Sequence, residues 1–479
     1  MKALSVTPIG RPVRLALALW LTAAGAQAAA QPTRTHAVDA QGSTPLHAAV
    51  YRDDLASVNR LLAAGAAVNA KNIQGVTPLW LACINGNTAI ADRLLRAGAD
   101  ANTAMAEGDT ALMTAARTGT VGVIKALLAH GAKVDARERQ MGQTALMWAA
   151  AEGHTDAVLA LLAAGADAHA RTTGEGFTPL LFAARAGHTS TVRALLDAGG
   201  SANEALVNKR ATNGASALIL AIASTHYDLA AVLLDRGADP NVPGWGWSAL
   251  HEVEFTRRPP AGRHGIPFPV PTGTMDSLTL ATKLLEHGAD PNARMTREPL
   301  KPYFGRWGHT YRGVTPFWLA AKLVDVPFMK LMVAHGADPL LANAEGSTPL
   351  MMAAGVDVYA PGYEPGTPEE VTAAVKLCME LGNVATAVNE NGDTALHGAA
   401  IRGNNEVVML LVAAGARLDV KNKKIDNRNA TSEDREGREG GWTPWQQAQF
   451  SYQNGRALSQ PETAALLARL MRERGLPVE

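Results

Sequence analysis

Histidines, cysteines and paired acids are the side chains that could hold a metal or run acid–base and nucleophilic chemistry, and this chain has 13 histidines and 2 cysteines in 479 residues. Nine of the histidines occupy slots that recur. His47, His251 and His397 each follow a hydroxyl residue by three positions, His154, His188 and His226 open second helices, and His130, His287 and His335 precede a helix-ending glycine. Such positions orient turns or complement the negative end of a helix dipole. His36, His169, His264 and His309 lie outside these slots. His251 and Glu254 are one helical turn apart, but HExxH, CxxC and EF-hand spacings are all missing, so no metal-ligand pattern is met. No nucleophile elbow, no spaced Ser/His/Asp or Cys/His set and no Walker-type phosphate loop occurs. Cys83 and Cys378 fall in helices of distant segments and read as small buried hydrophobes. The chain therefore calls for no cofactor, no metal and no catalytic residue.

The elements that would position any site follow a period. Gly42, Gly75, Gly108, Gly142, Gly176, Gly214, Gly246, Gly313, Gly346, Gly392 and Gly441 each stand two residues before a threonine or serine. Successive hydroxyl positions are spaced by 33, 33, 34, 34, 38, 32, 67, 33, 46 and 49 residues, which sets a unit of about 33. Thr44-Pro45-Leu46-His47 shows the start most fully. The threonine oxygen caps a helix, and proline fills the first helical position, where no amide bond is lost. Alanine pairs such as Ala149-Ala150 and Ala183-Ala184 let neighbours approach closely. A second helix then carries a Leu-Leu pair and stops at Gly-Ala, as at Gly237-Ala238-Asp239.

This pattern resembles the ankyrin repeat. The TPLH start, the Gly-His pairs (Gly153-His154, Gly187-His188) and the Gly-Ala-Asp-Pro-Asn endings (Gly237 to Asn241, Gly288 to Asn292) carry the resemblance over about residues 41 to 470. It implies an all-α, ankyrin-type helical-repeat solenoid of about eleven repeats, with short β-hairpin fingers, a concave palm and protein binding as its role.

Residues 1–30 read as a signal peptide and 31–40 as a lead-in to the array at 41–475. Lys2, Arg11 and Arg14 precede the apolar stretch Leu15 to Ala24, which is short for a membrane span, and small residues follow. The chain is expected to be periplasmic or secreted, with no stable membrane insertion after cleavage. The whole chain carries 44 basic and 44 acidic residues, and cleavage would leave 41 against 44, a net −3 that gives no case for nucleic-acid binding. A monomer with an unidentified protein partner is expected.

Where the period breaks, the composition changes. Insertions are expected near 256–274, 295–311, 356–367 and 421–440. The 67-residue interval from Ser248 to Thr315 holds only one Leu-Leu…Gly-Ala ending, so it reads as one stretched repeat, the seventh. Its two inserted stretches, Glu254 to Asp276 and Arg294 to Arg312, together carry +5. The candidate binding residues are Trp245, Trp247, Arg257, Arg258, Arg263, His264, Arg297, Lys301, Tyr303, Arg306, Trp307, His309, Tyr311 and Arg312. Arginine with aromatic groups is the composition of binding hot spots, and it also suits an anionic ligand. The bland alternative has the two insertions packing on each other. A second surface is the palm, with Tyr51, Arg52, Asn85, Arg117, Glu152, Arg185, Lys322 and Arg402 on helices and Gln74, Glu107, Asp109, Met141, Phe177 and Trp247 on fingers. The favoured reading is a non-catalytic protein-binding scaffold of the cell envelope. The alternatives are a small-ligand-binding or hydrolytic protein with its site around 254–312, and a secreted effector that binds host proteins.

Overall fold

A computed structural model describes residues 38–207, 214–258, 270–297, 310–356, 358, 366–423, 441–450, 452–453, 456–457 and 459–478. Residues 1–30, where a signal peptide is expected, and most of the four expected insertions lie outside the described residues.

The described helices form consecutive antiparallel pairs. The first four are α1 (Pro45–Tyr51) with α2 (Leu55–Ala63), α3 (Pro78–Asn85) with α4 (Thr88–Arg96), α5 (Ala111–Thr118) with α6 (Val121–Ala129), and α7 (Ala145–Ala151) with α8 (Thr155–Ala163). Then come α9 (Pro179–Ala186) with α10 (Thr189–Asp197), α11 (Ala217–Ala223) with α12 (Tyr227–Asp235), and α13 (Ala249–Arg257) with α14 (Ser277–Glu286). The last four are α15 (Pro316–Lys322) with α16 (Val326–Ala334), α17 (Pro349–Ala354) with α18 (Pro368–Glu380), α19 (Ala395–Arg402) with α20 (Asn405–Ala413), and α21 (Pro444–Phe450) with α22 (Pro461–Glu473). First helices pack on neighbouring first helices and second helices on second helices, giving a solenoid with one continuous apolar core.

The local chemistry accounts for the starts. Thr77, Thr144, Thr178 and Thr315 each accept the backbone N–H three residues on, closing the first turn. At the TPLH-type starts histidine does two jobs. His47 Nδ1 faces the cap at Thr44, while its Nε2 meets the carbonyl of Val76, 3.0 Å away in the next repeat. His251 and His397 repeat this with the carbonyls of Val314 and Trp442. The second histidine slot reaches backwards: His154 Nε2 lies 3.0 Å from the Arg117 carbonyl and His188 Nε2 lies 3.1 Å from that of Ala151.

The imidazoles of this second set lie against glycines. Gly153 has φ +74°, and a Cβ placed on it would sit 2.5 Å from His188 Nδ1. It needs the absent side chain both for its left-handed backbone and for the ring packed against it. Gly153→Ala should therefore lower stability by about 2–3 kcal/mol, measured by urea unfolding. A midpoint unchanged from the parent would show that His188 moves aside freely.

The fingers are turns cross-tied between repeats. The backbone N–H of Ile73, Arg139, Thr173 and Val207 donates to the carbonyl of Gln41, Glu107, Met141 and Glu175 in the preceding finger, and Thr296, Ala344, Glu390 and Lys423 continue the series. Strand pairing is limited to isolated bridges such as Gly244 with Trp247, and the one ladder among the described residues is β1 (Tyr452–Gln453) against β2 (Arg456–Ala457) in the last repeat. At the finger bases asparagines form a second row of ties. Asn69, Asn102, Asn203, Asn241 and Asn292 each donate to a glycine carbonyl one repeat on and accept a backbone N–H two residues beyond it, as Asn241 does with Gly288 and Asp290.

Candidate functional site

Of the expected binding residues, Arg263, His264, Lys301, Tyr303, Arg306, Trp307 and His309 lie outside the described residues. The other seven divide sharply. Trp245 and Trp247 bracket the tip of the repeat-7 finger, where Trp245 adopts φ +54°, a backbone region that L side chains rarely occupy. Their rings are 5.9 Å apart, and Trp247 meets Phe255 edge-on at 5.8 Å. All three are partly buried on the core edge. Trp247 Nε1 donates to Glu252 Oε2 at 2.5 Å. Arg297 packs its stem against Gly246 and, like Arg312, is exposed.

Tyr311 is different from expectation: it is buried, edge-to-face with Trp318 at 6.1 Å, and belongs to the core. Arg257 and Arg258 also depart from it, because both guanidinium groups point inward. Arg257 donates to Asp325 Oδ2 at 2.5 Å and to Ser277 Oγ at 3.0 Å. Arg258 donates to Glu370 Oε1 at 2.6 Å and to the Leu323 carbonyl, with Asp325 3.5 Å away. Two adjacent arginines at the end of α13 thus tie repeat 7 to repeats 8 and 9. Asp325 is fully buried and also caps α16 through the Phe328 N–H. Just before it, buried Val324 is held at φ +49°, strained for a β-branched residue.

Glu254 completes this cluster. It is fully buried, and neither of its carboxyl oxygens has a hydrogen-bond partner among the described residues. Burial, then the charge of Asp325, drives its pKa well above the ordinary carboxyl value, so it is held as the neutral acid. Burial also lifts Glu252 to about 7, opposed by the Trp247 hydrogen bond, and brings His251 down to about 4. Burial pulls Arg258 down, but the Glu370 hydrogen bond and the Asp325 charge outweigh it and hold its proton more firmly.

The sequence pattern singled out Glu254 only beside His251 and passed over Glu252, Asp325 and Glu370. A signal was present. Glu254 stands six residues after Ser248, where Ala116, Ala150, Ala184, Ala321, Ala354 and Ala400 stand after their own hydroxyl residues. An acid in a close-packing alanine slot is buried by register. Glu254 and Asp325 are thus fully buried, while the Glu370 side chain is 39% exposed and is held by Arg258. Among the described residues no group of three His, Cys, Asp or Glu side chains could hold a metal.

The palm carries a second grouping. The Arg117 guanidinium lies 5.1 Å from the Trp148 ring centre, and that of Arg185 lies 5.1 Å from Phe177 and 5.8 Å from Phe182. These groups belong to three consecutive repeats. Two palm expectations fail: Phe177 is 4% exposed because it stacks on Phe182 at 4.9 Å, and Lys322 is 4% exposed within the core. Asn85 turns its amide onto the carbonyls of Val50 and Tyr51, a structural use.

Residues 17–105, 90–172 and 161–243 match the family described as ankyrin repeats (3 copies), and residues 391–423 match the single ankyrin repeat. The chain is similar to the Danio rerio protein named for palmitoyltransferase ZDHHC13, 30% identical over 145 residues, which is 30% of this chain and 18% of that protein. It is also similar to human NF-kappa-B inhibitor alpha, 34% identical over 109 residues, which is 22% of this chain and 32% of the relative. The alignments thus span less than a third of either relative's length.

Proposed function

Because the chain belongs to the ankyrin-repeat family, whose arrays serve as protein–protein interaction scaffolds, we propose that it is a non-catalytic scaffold acting in the cell envelope or beyond it. Its partner would lie along the palm and reach the exposed Arg297 and Arg312 edge of repeat 7. The observation that carries this reading is the set of arginine–aromatic pairs on consecutive repeats, Arg117 with Trp148 and Arg185 with Phe177 and Phe182. Trp148 is half-buried beneath Arg117, and the buried Phe177 and Phe182 hold the Arg185 guanidinium in place, so these groups can contact a partner at low entropic cost. The envelope location is supported by the basic, apolar and small-residue order of residues 1–30.

Affinity capture from an envelope extract, with the parent and a Trp148→Ala/Arg185→Ala variant, tests the palm. The variant is expected to lose at least about tenfold in affinity for whatever the parent retains, with its helical circular dichroism unchanged. Equal retention by both proteins would remove the palm from the interface. Cell fractionation with N-terminal sequencing tests the location, which fails if the intact, uncleaved chain is found in the cytosol.

A further inference from the structure

Glu204 is an acid in a slot that is otherwise apolar or hydroxylic. Five residues after each of the ten helix-ending glycines from Gly65 to Gly415, nine positions hold alanine, valine, leucine or threonine, and Glu204 is the single charged residue. It is 7% exposed. Its Oε2 accepts a short hydrogen bond from the Thr178 hydroxyl, the group that caps α9. Its Oε1 makes no hydrogen bond among the described residues, and His169 Nδ1 stands 3.4 Å from it, an ion pair only when that imidazole is protonated. A buried acid oxygen with no donor is unfavourable unless a donor arrives.

Glu204 lines a cavity of about 460 Å³ at the base of the repeat-6 finger, together with Ser201, Asn203, Arg171, Val242 and Pro243. The other strong polar groups there are committed. Asn203 ties Gly237 and Asp239, and Arg171 Nη1 holds the carbonyls of Gly176 and Ala205. Arg137 and Arg294 make the same two-carbonyl contact in other fingers, so Arg171 is part of the repeat's scaffolding. Glu204 is what distinguishes this cavity.

We propose that the cavity binds a primary ammonium group on a short alkyl chain, with Glu204 Oε1 as the acceptor and Val242 and Pro243 beside the alkyl part. A charge-assisted hydrogen bond to a buried acid is strong and directional, and an ammonium ion supplies three donors. A lysine side chain of a partner protein and a free alkylamine share this chemistry.

Calorimetric titration of the full chain with N-acetyl-lysine methylamide, with 1,5-diaminopentane and with neutral N-acetyl-norleucine methylamide tests it. At least one ammonium probe should bind, with the neutral probe at least about tenfold weaker. Binding of the lysine amide alone points to a partner's side chain, and binding of the diamine as well points to a free amine. Glu204→Gln should abolish binding. Glu204→Ala, which restores the residue common in other fingers, should melt close to the parent. Failure of both ammonium probes, or equal binding by Glu204→Gln, overturns the proposal. Unfolding of Glu204→Ala together with ammonium binding that persists in Glu204→Gln would make Glu204 a structural acid only.

Discussion

Asp325→Ala should lower the stability of repeats 7 to 9 by about 3 kcal/mol, the largest loss expected from any single surface-to-core ion pair in this chain. The aspartate receives Arg257, stands near Arg258 and caps α16 at once, and it is fully buried. Its removal strips two arginines of their shared acid and leaves the Phe328 N–H without its capping acceptor. Glu254 then matters. With Asp325 gone, the repulsion that helps keep Glu254 protonated disappears, and Glu254 can ionise beside Arg257 and Arg258. The single variant is thus partly rescued from within. Asp325→Ala/Glu254→Gln has no such reserve, so its loss should exceed the sum of the single losses. Hydrogen exchange during urea unfolding, resolved to repeats 7 to 9, reads this. Additive losses would mean that the two acids do not share the arginines.

The stability of the same region should fall as pH rises, the reverse of the usual behaviour of ion-paired carboxylates. Glu254 has a folded pKa raised above its ordinary value of 4.5. Below that value both folded and unfolded chains carry the proton, and its favourable contribution is complete. Above it the unfolded chain ionises while the folded chain does not, and stability drops by about 1.4 kcal/mol per pH unit until the folded pKa is reached. Glu252 adds a like slope between 4.5 and about 7. His251, lowered to about 4, acts in the opposite sense up to its ordinary 6.5. Subtracting the pH profile of Glu254→Gln from that of the parent cancels these other groups. The difference should be small near pH 4 and grow in favour of the variant through pH 7 to 8. A flat difference would show Glu254 ionised in the folded chain.

The repeat was legible because its determinants are local. A capping threonine, a proline after it and a glycine two residues before act within one turn, and nine of the eleven glycines at that position have positive φ, Gly214 and Gly441 being the exceptions. The recurrent histidines were legible for the same reason, and their role as ties between repeats follows from their register. What the pattern did not reveal is which charged groups turn inward. Arg257 and Arg258 sit beside an insertion and look like surface residues, yet their partners Asp325 and Glu370 lie 68 and 112 residues further on. Only the stacking of α16 and α18 brings those acids in. Phe177 was likewise read as a finger tip, but the side chain it covers, Phe182, belongs to the following helix.

The ties between fingers bear on how the molecule deforms. Along the loop edge, neighbouring repeats are joined by directional hydrogen bonds, both the finger-to-finger series and the asparagine row. Along the helix edge they are joined mainly by side-chain packing, which tolerates small sliding, with scattered ties such as Arg236 to Asp197. A bending load would therefore find a stiff edge and a compliant one. The array should flex like a leaf spring pinned along its loops, opening and closing its curvature while its contour length stays fixed. The row is interrupted in more than one place, since His169 and Leu340 fill the asparagine slot in their repeats. Asp135 replaces asparagine in the row, accepts the Asp167 N–H and has no amide to donate. Curvature changes under load should begin at these interruptions, from repeats 3 to 5 and between repeats 8 and 9.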